Sequence, residues 1–229
     1  MSTALPPEDP TVADVLKLVK ELGGVPPRRV LLKPLPGKAT EKDLLAHHRR
    51  TGRICELVDG ILVEKPVGYN ESYIASEINM HLRLHAKKHK LGYVTGEHGT
   101  MRLMPRLVRI PDGAFVRRER FPGGVLPEGP IPDLFPDLAV EVLSESNTAG
   151  EIRRKLKEYF LAGTTLAWIV DPRKRTVTVH TAPDVSSVLG EGDSLQGGHL
   201  LPGFTLAVSY LFEDLPLPKK HAAARKKTP

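Results

Sequence analysis

Two periodicities run through the chain. Over TVADVLKLVKEL, residues 11–22, Val12, Val15, Leu16 and Val19 share one face at helical spacing, so the pattern predicts a helix, and Gly23-Gly24 end it. The proline-rich VPPRRVLLKPLPGKAT that follows reads as an irregular linker. A second short helix opens at Ala39–Asp43, where Thr40 and Asp43 stand at capping-box spacing. ICELVDGILVEKP then predicts a hairpin turning on Asp59-Gly60. Glu71–Lys88 reads as a helix with Ile74, Ile78, Leu82 and His85 near one face. Strands are expected at Tyr93–Thr95, Met101–Met104 and Val108–Val116, before a loop over Arg117–Phe135 rich in proline and glycine. A buried strand over Asp137–Leu143 precedes a helix over Thr148–Ala162. A hairpin joining Leu166–Val170 to Thr176–His180 and final strands near Leu200–Val208 complete the pattern. Mixed helices and hairpins without an internal repeat predict an α/β (mixed α+β) fold around one sheet.

The chemistry lies where this pattern breaks. In the helix over 148–162, Thr148 and Glu151 have capping-box spacing and Gly163 stops the last turn. Its inward stripe is Ile152, Lys155, Leu156 and Tyr159, so a lysine interrupts the apolar face, while Arg153, Arg154, Lys157 and Glu158 take the solvent side. In the strand before it, Leu138, Val140 and Val142 share one face and Ala139, Glu141 and Leu143 the other. An isolated buried carboxylate is costly, so Glu141 needs a cation, either Lys155 or a metal ion. Asp112 similarly interrupts the row Val108, Ile110, Ala114, Val116. Two carboxylates on neighbouring strands are the hard oxygen donors that Mg²⁺ or Mn²⁺ prefers. Such an ion activates water against a phosphodiester, with a lysine orienting or deprotonating that water or neutralising charge. Two plainer readings stand beside this one. Pro111-Asp112-Gly113 is also a good surface turn, and Glu141–Lys155 is also a structural ion pair.

The order of PDGAFV, PDLAVEVLSESNT, KLKEYF, AWIVDP and LLPGF resembles the putative restriction endonuclease family, first catalogued as a bacterial domain of unknown function, of the PD-(D/E)XK nuclease superfamily. The likeness runs from ELVDG at Glu56 to LLPGF at Phe204. It implies a restriction-endonuclease-like core, a central mixed sheet flanked by helices, acting as a Mg²⁺-dependent DNA endonuclease. Asp112 would match the metal-binding aspartate and Glu141 the acid of the (D/E)-x-K segment. The chain departs from the parent pattern, because Leu143 stands where that segment has its lysine. The family resembled shares this form, and Lys155 from the following helix would supply the charge. Glu56 would match a further acid with a metal-linked role, or be a sheet-edge carboxylate beside a turn, and Glu71 reads as a helix-dipole acid. The alternative is an inactive nuclease-like fold that binds nucleic acid or a protein partner. Cutting both strands of DNA would favour a homodimer.

Charge and composition change little. Of the net charge of +6, five positive residues (Lys219, Lys220, Arg225, Lys226 and Lys227) sit in the tail, leaving the body at about +1. A basic disordered tail is expected over 216–229, a restriction-endonuclease-like domain over 46–215, and an N-terminal helical arm with a proline-rich linker over 1–45. MSTALPPEDP has neither the basic nor the apolar region of a secretory leader, and no run is apolar enough to cross a bilayer, so a cytoplasmic protein is expected. The lone Cys55 offers no intramolecular disulfide. His81, His85 and His89 recur at helical spacing and read as part of a solvated basic face.

Overall fold

The computed structural model describes residues 11–66 and 68–216, so the basic run Lys219–Lys227 lies outside the described residues. In chain order the elements are α1 (Val12–Glu21), β1 (Val30–Leu31), α2 (Glu41–Thr51), β2 (Cys55–Val58), β3 (Ile61–Glu64) and α3 (Tyr69–Lys88). Then follow β4 (Gly92–Gly96), β5 (Met101–Met104), β6 (Leu107–Arg109), β7 (Gly113–Arg117), β8 (Leu138–Val142) and α4 (Ala149–Ala162). The chain closes with β9 (Leu166–Asp171), β10 (Thr176–Ala182), β11 (Val185–Leu189), β12 (Ser194–Gly197) and β13 (Leu201–Ala207). Thr11 and Thr40 cap α1 and α2 through full capping boxes with Asp14 and Asp43.

The strands form two main sheets rather than the single sheet expected. The central one is six-stranded, ordered β11-β10-β9-β8-β7-β4, and its β8–β9 pair is parallel while the other pairs are antiparallel. A five-stranded antiparallel sheet, ordered β1-β3-β2-β6-β5, lies beside it. Alternation along β8 divides the core as its pattern predicts. Leu138, Val140 and Val142 pack with Trp168, Phe115 and the α3 residues Ile74, Ile78 and Leu82. Ala139 faces the other way, with Ala114, Ala167, Ile169 and the α4 residues Leu156 and Tyr159.

Three expectations are corrected. The stretch Val108–Val116 is not one strand but two, β6 and β7, in different sheets. Pro111 has no N–H for a ladder and restricts Ile110 before it, so the chain leaves one sheet and enters the other across Ile110–Asp112. The linker is not irregular throughout: β1 pairs with β3, and Val25, Arg29 and Val30 are buried. The histidines do not share one solvated face: His89 is exposed, but His81 packs edge-on against Tyr210 and His85 against Phe204.

Candidate active site

The site is built where the two sheets meet. The β7–β8 ladder pairs Gly113 with Val140, so one step further Asp112 falls opposite Glu141. Asp112 Oδ2 accepts the Val142 N–H at 2.7 Å, which fixes the aspartate against β8 although it lies outside β7. Its other oxygen pairs with Lys65 Nζ at 2.7 Å. Lys65 follows β3 directly and also donates to the Ile110 carbonyl. One aspartate thus ties the end of the β2–β3 hairpin to the central sheet.

Glu141 is 4% exposed and points toward α4. Lys155 Nζ donates to both of its oxygens, at 3.0 and 2.9 Å, and lies 3.2 Å from Glu56 Oε1. The Tyr159 hydroxyl donates to Glu141 Oε1 at 2.6 Å. Residues 155 and 159 are one helical turn apart, so a single face of α4 delivers both donors. Glu56, from β2, accepts from Arg109 Nη1 at 2.7 Å and from the Ile110 N–H at 3.1 Å. Arg109 in turn holds Glu158. Glu158 is therefore not on the solvent side: it links Arg109 to Arg154.

These pairings set the charge states. Burial alone would raise the Glu56 carboxyl, but Lys155 and Arg109 outweigh it and hold Glu56 below the usual carboxylate range. Glu141 is pushed upward by burial, despite Lys155, and by repulsion from Asp112. Burial works against the Lys155 ammonium, yet Glu141 and Glu56 keep it protonated and raise its pKa. Lys155 is thus a fixed cation and not a base near neutral pH.

Asp112, Glu141, Lys155 and Lys65 line one cleft, together with Glu71, Ser72, Glu97 and Asn147. Its cavity of about 20 Å³ suits a single water or ion. The oxygen donors Asp112 and Glu141 suit a hard divalent cation. Of the four residues singled out from sequence, Asp112, Glu141 and Lys155 reach this cleft. Glu56 lies behind it, against Lys155, and is 1% exposed. Sequence reasoning missed Lys65, Arg109 and the Tyr159 contact. Arg109, a charge inside the row Val108–Ile110, was a visible signal, whereas nothing local marks Lys65.

At the start of α4, Thr148 Oγ1 accepts the Glu151 N–H at 3.1 Å, but Glu151 does not complete a capping box. Its carboxylate instead meets Arg29, at 2.7 and 3.0 Å, and Asn147. A separate cluster, His47, Cys55 and Glu64, brings its donor atoms within 4.8 Å of one another. Burial pushes the Cys55 thiol to about 12, and Glu64 already pairs with Arg53, so this cluster is a packed side of the hairpin.

Among the described residues, no helix is long and apolar enough to cross a membrane. A comparison with curated proteins gives no match. Among solved structures, a protein described as "a putative nuclease belonging to DUF820" from Anabaena variabilis ATCC 29413 superimposes with a TM-score of 0.63 at 20% identity. The match covers 71% of this chain and 92% of that one, and it establishes the shared fold. The model of the Uma2 family, described as "Putative restriction endonuclease", matches residues 42–209, from α2 to the end of β13 and so through every residue of the cleft. The chain therefore belongs to the Uma2 family of restriction-endonuclease-like proteins.

Proposed function

We propose that the protein is a Mg²⁺- or Mn²⁺-dependent endonuclease that hydrolyses DNA phosphodiester bonds. The observation that carries this reading is the placement of Asp112 opposite Glu141 on one cleft, with a lysine against each carboxylate. Asp112 and Glu141 would hold the ion. When bound, such an ion supplies Lewis acidity to the phosphodiester and makes the attacking water more acidic. The remaining work falls to the chain's own groups. The Val142 N–H and Lys65 orient Asp112. Lys155 and Tyr159 fix Glu141 and stop its carboxylate from rotating away. Lys65, beside Asp112 in the cleft, is placed to offset negative charge growing on the phosphoryl group.

The test is nicking of supercoiled plasmid by the purified chain with Mg²⁺ or Mn²⁺. Wild type should cut, while Asp112→Ala and Glu141→Ala should lose cutting together with calorimetric Mg²⁺ binding. Cleavage that survives both substitutions would sink the assignment. A second reading, a nuclease-like fold that binds without cutting, is favoured by one observation: both acids already have a lysine partner. That reading predicts no Mg²⁺ heat in the wild type.

A further inference from the structure

The cleft opens into a longer groove whose far end has a different electrical character. Ser72, Glu97 and Asp112 line both the cleft and an adjoining cavity of about 590 Å³. That cavity shares Arg83, Val94 and Thr95 with a third, of about 440 Å³. The three form a continuous path along α3, walled on its other side by β4. β4 pairs only with β7 among the described residues, so it is the edge of the central sheet. Near the cleft the path carries acids and small groups such as Ser76, Gly96 and Gly99. At its far end stand Arg83 and Lys87 of α3, Lys90 just beyond it, and Arg118 after β7, and no acid lines that cavity.

From these features we infer that the groove is the track for a nucleic-acid backbone, with Arg83, Lys87, Lys90 and Arg118 binding phosphates at a distance from the cut. The inference rests on the nuclease reading for its direction, since the acid end would hold the scissile phosphate. A solvated basic face is the ordinary fate of such residues. Two facts argue for a ligand here. All four side chains are exposed, and no carboxylate of the described residues forms a salt bridge with any of them, although eight of the fourteen other described arginines are paired. They also come from two separate segments, α3 with the turn after it and the end of β7, and converge on one concavity, whereas a merely soluble helix face would spread its charge outward. The length fits as well. Ser72 to Lys87 spans about 22 Å of helix, or roughly six base steps of duplex.

The experiment uses the full chain and a fluorescein-labelled, mixed-sequence duplex two helical turns long, in EDTA to prevent cutting. Fluorescence anisotropy gives affinity against salt. Each phosphate contact contributes about 0.9 to the slope of log affinity on log salt. Substituting Arg83→Gln, Lys87→Gln and Lys90→Gln together should make that slope shallower by about 2.7 and weaken binding by roughly tenfold or more. Lys17→Gln with Lys20→Gln, on α1, should leave the slope unchanged. A triple variant with a native circular dichroism spectrum and an unchanged slope overturns the inference. So does an equal loss in the α1 variant, which would mean that diffuse charge does the binding. The two readings fail separately. Loss of slope without any metal-dependent cutting leaves the track standing and removes the nuclease. Cutting that needs Asp112 but ignores the triple substitution does the reverse.

Discussion

Replacing Lys155 with methionine isolates the charge at the centre of the site. Methionine keeps much of the length and apolar volume of the lysine stem, so the change removes chiefly the ammonium. That ammonium is buried, 2% exposed, and serves three carboxylate oxygens at 3.0, 2.9 and 3.2 Å. After its loss Glu56 keeps Arg109 and the Ile110 N–H, while Glu141 keeps only Tyr159. Glu141 is therefore the stranded charge. Breaking a buried pair on one side costs about 3–5 kcal/mol, which is the loss expected near neutral pH in urea unfolding followed by circular dichroism. Glu141 can escape by taking up a proton, and burial already pushes its pKa upward. A carboxyl with a raised folded pKa favours the folded state when protonated and loses that contribution as pH rises through the raised value. The penalty in Lys155→Met should accordingly shrink as the solution is acidified from neutrality toward about pH 5, by at most about 1.4 kcal/mol per pH unit. Adding Glu141→Gln to Lys155→Met should recover most of the loss. A cost below about 1 kcal/mol, or one independent of pH, would refute the picture of a buried carboxylate dependent on this lysine.

Lys65 lies in the cleft against Asp112, so Lys65→Gln should cut plasmid about 10²–10³-fold more slowly, with circular dichroism checking that the variant still folds. Asp137 is fully buried and accepts from Arg117, Arg120 and the Arg117 N–H, so Asp137→Asn should cost about 2–3 kcal/mol in the same unfolding assay. Acid should destabilise the wild type through a definite set of groups. Glu56 and Glu151, lowered from 4.5, and Asp137, lowered from 3.8, each contribute stability above those values and lose it as pH falls toward their folded pKa. Thermal melts should show Tm dropping steeply below about pH 4.5, and less so in Asp137→Asn.

Much of the fold was legible because most elements carry their own signals. Asp59-Gly60 set the hairpin, with Asp59 at φ 52° and Gly60 at φ 77°, and Thr148 and Gly163 bound α4 where their residue types predict. What failed was information that spans elements. Val108–Val116 keeps its alternation across Pro111 apart from Asp112, and the pattern does not say that its halves join different sheets. Glu151 has the spacing of a capping acid, but Arg29, remote in sequence, competes for it and wins. The same limit governs the site. Glu141 and Lys155 announced themselves by interrupting apolar faces of neighbouring elements. Lys65 stands between a strand end and a proline, an ordinary place for a lysine, and its partner Asp112 lies 47 positions away.

The crossing at Ile110–Asp112 has a consequence for when the cleft can exist. Glu56 and Lys65 belong to the hairpin of one sheet, Glu141 to the other, and Asp112 to the junction between them. Asp112 and Glu141 meet along the central sheet, but Glu56 and Lys65 reach them only from the other sheet, and Lys155 only from α4. The full set of ion pairs around the cleft therefore needs both sheets and α4 in place, and a loss of docking between the sheets would break it before either sheet had melted.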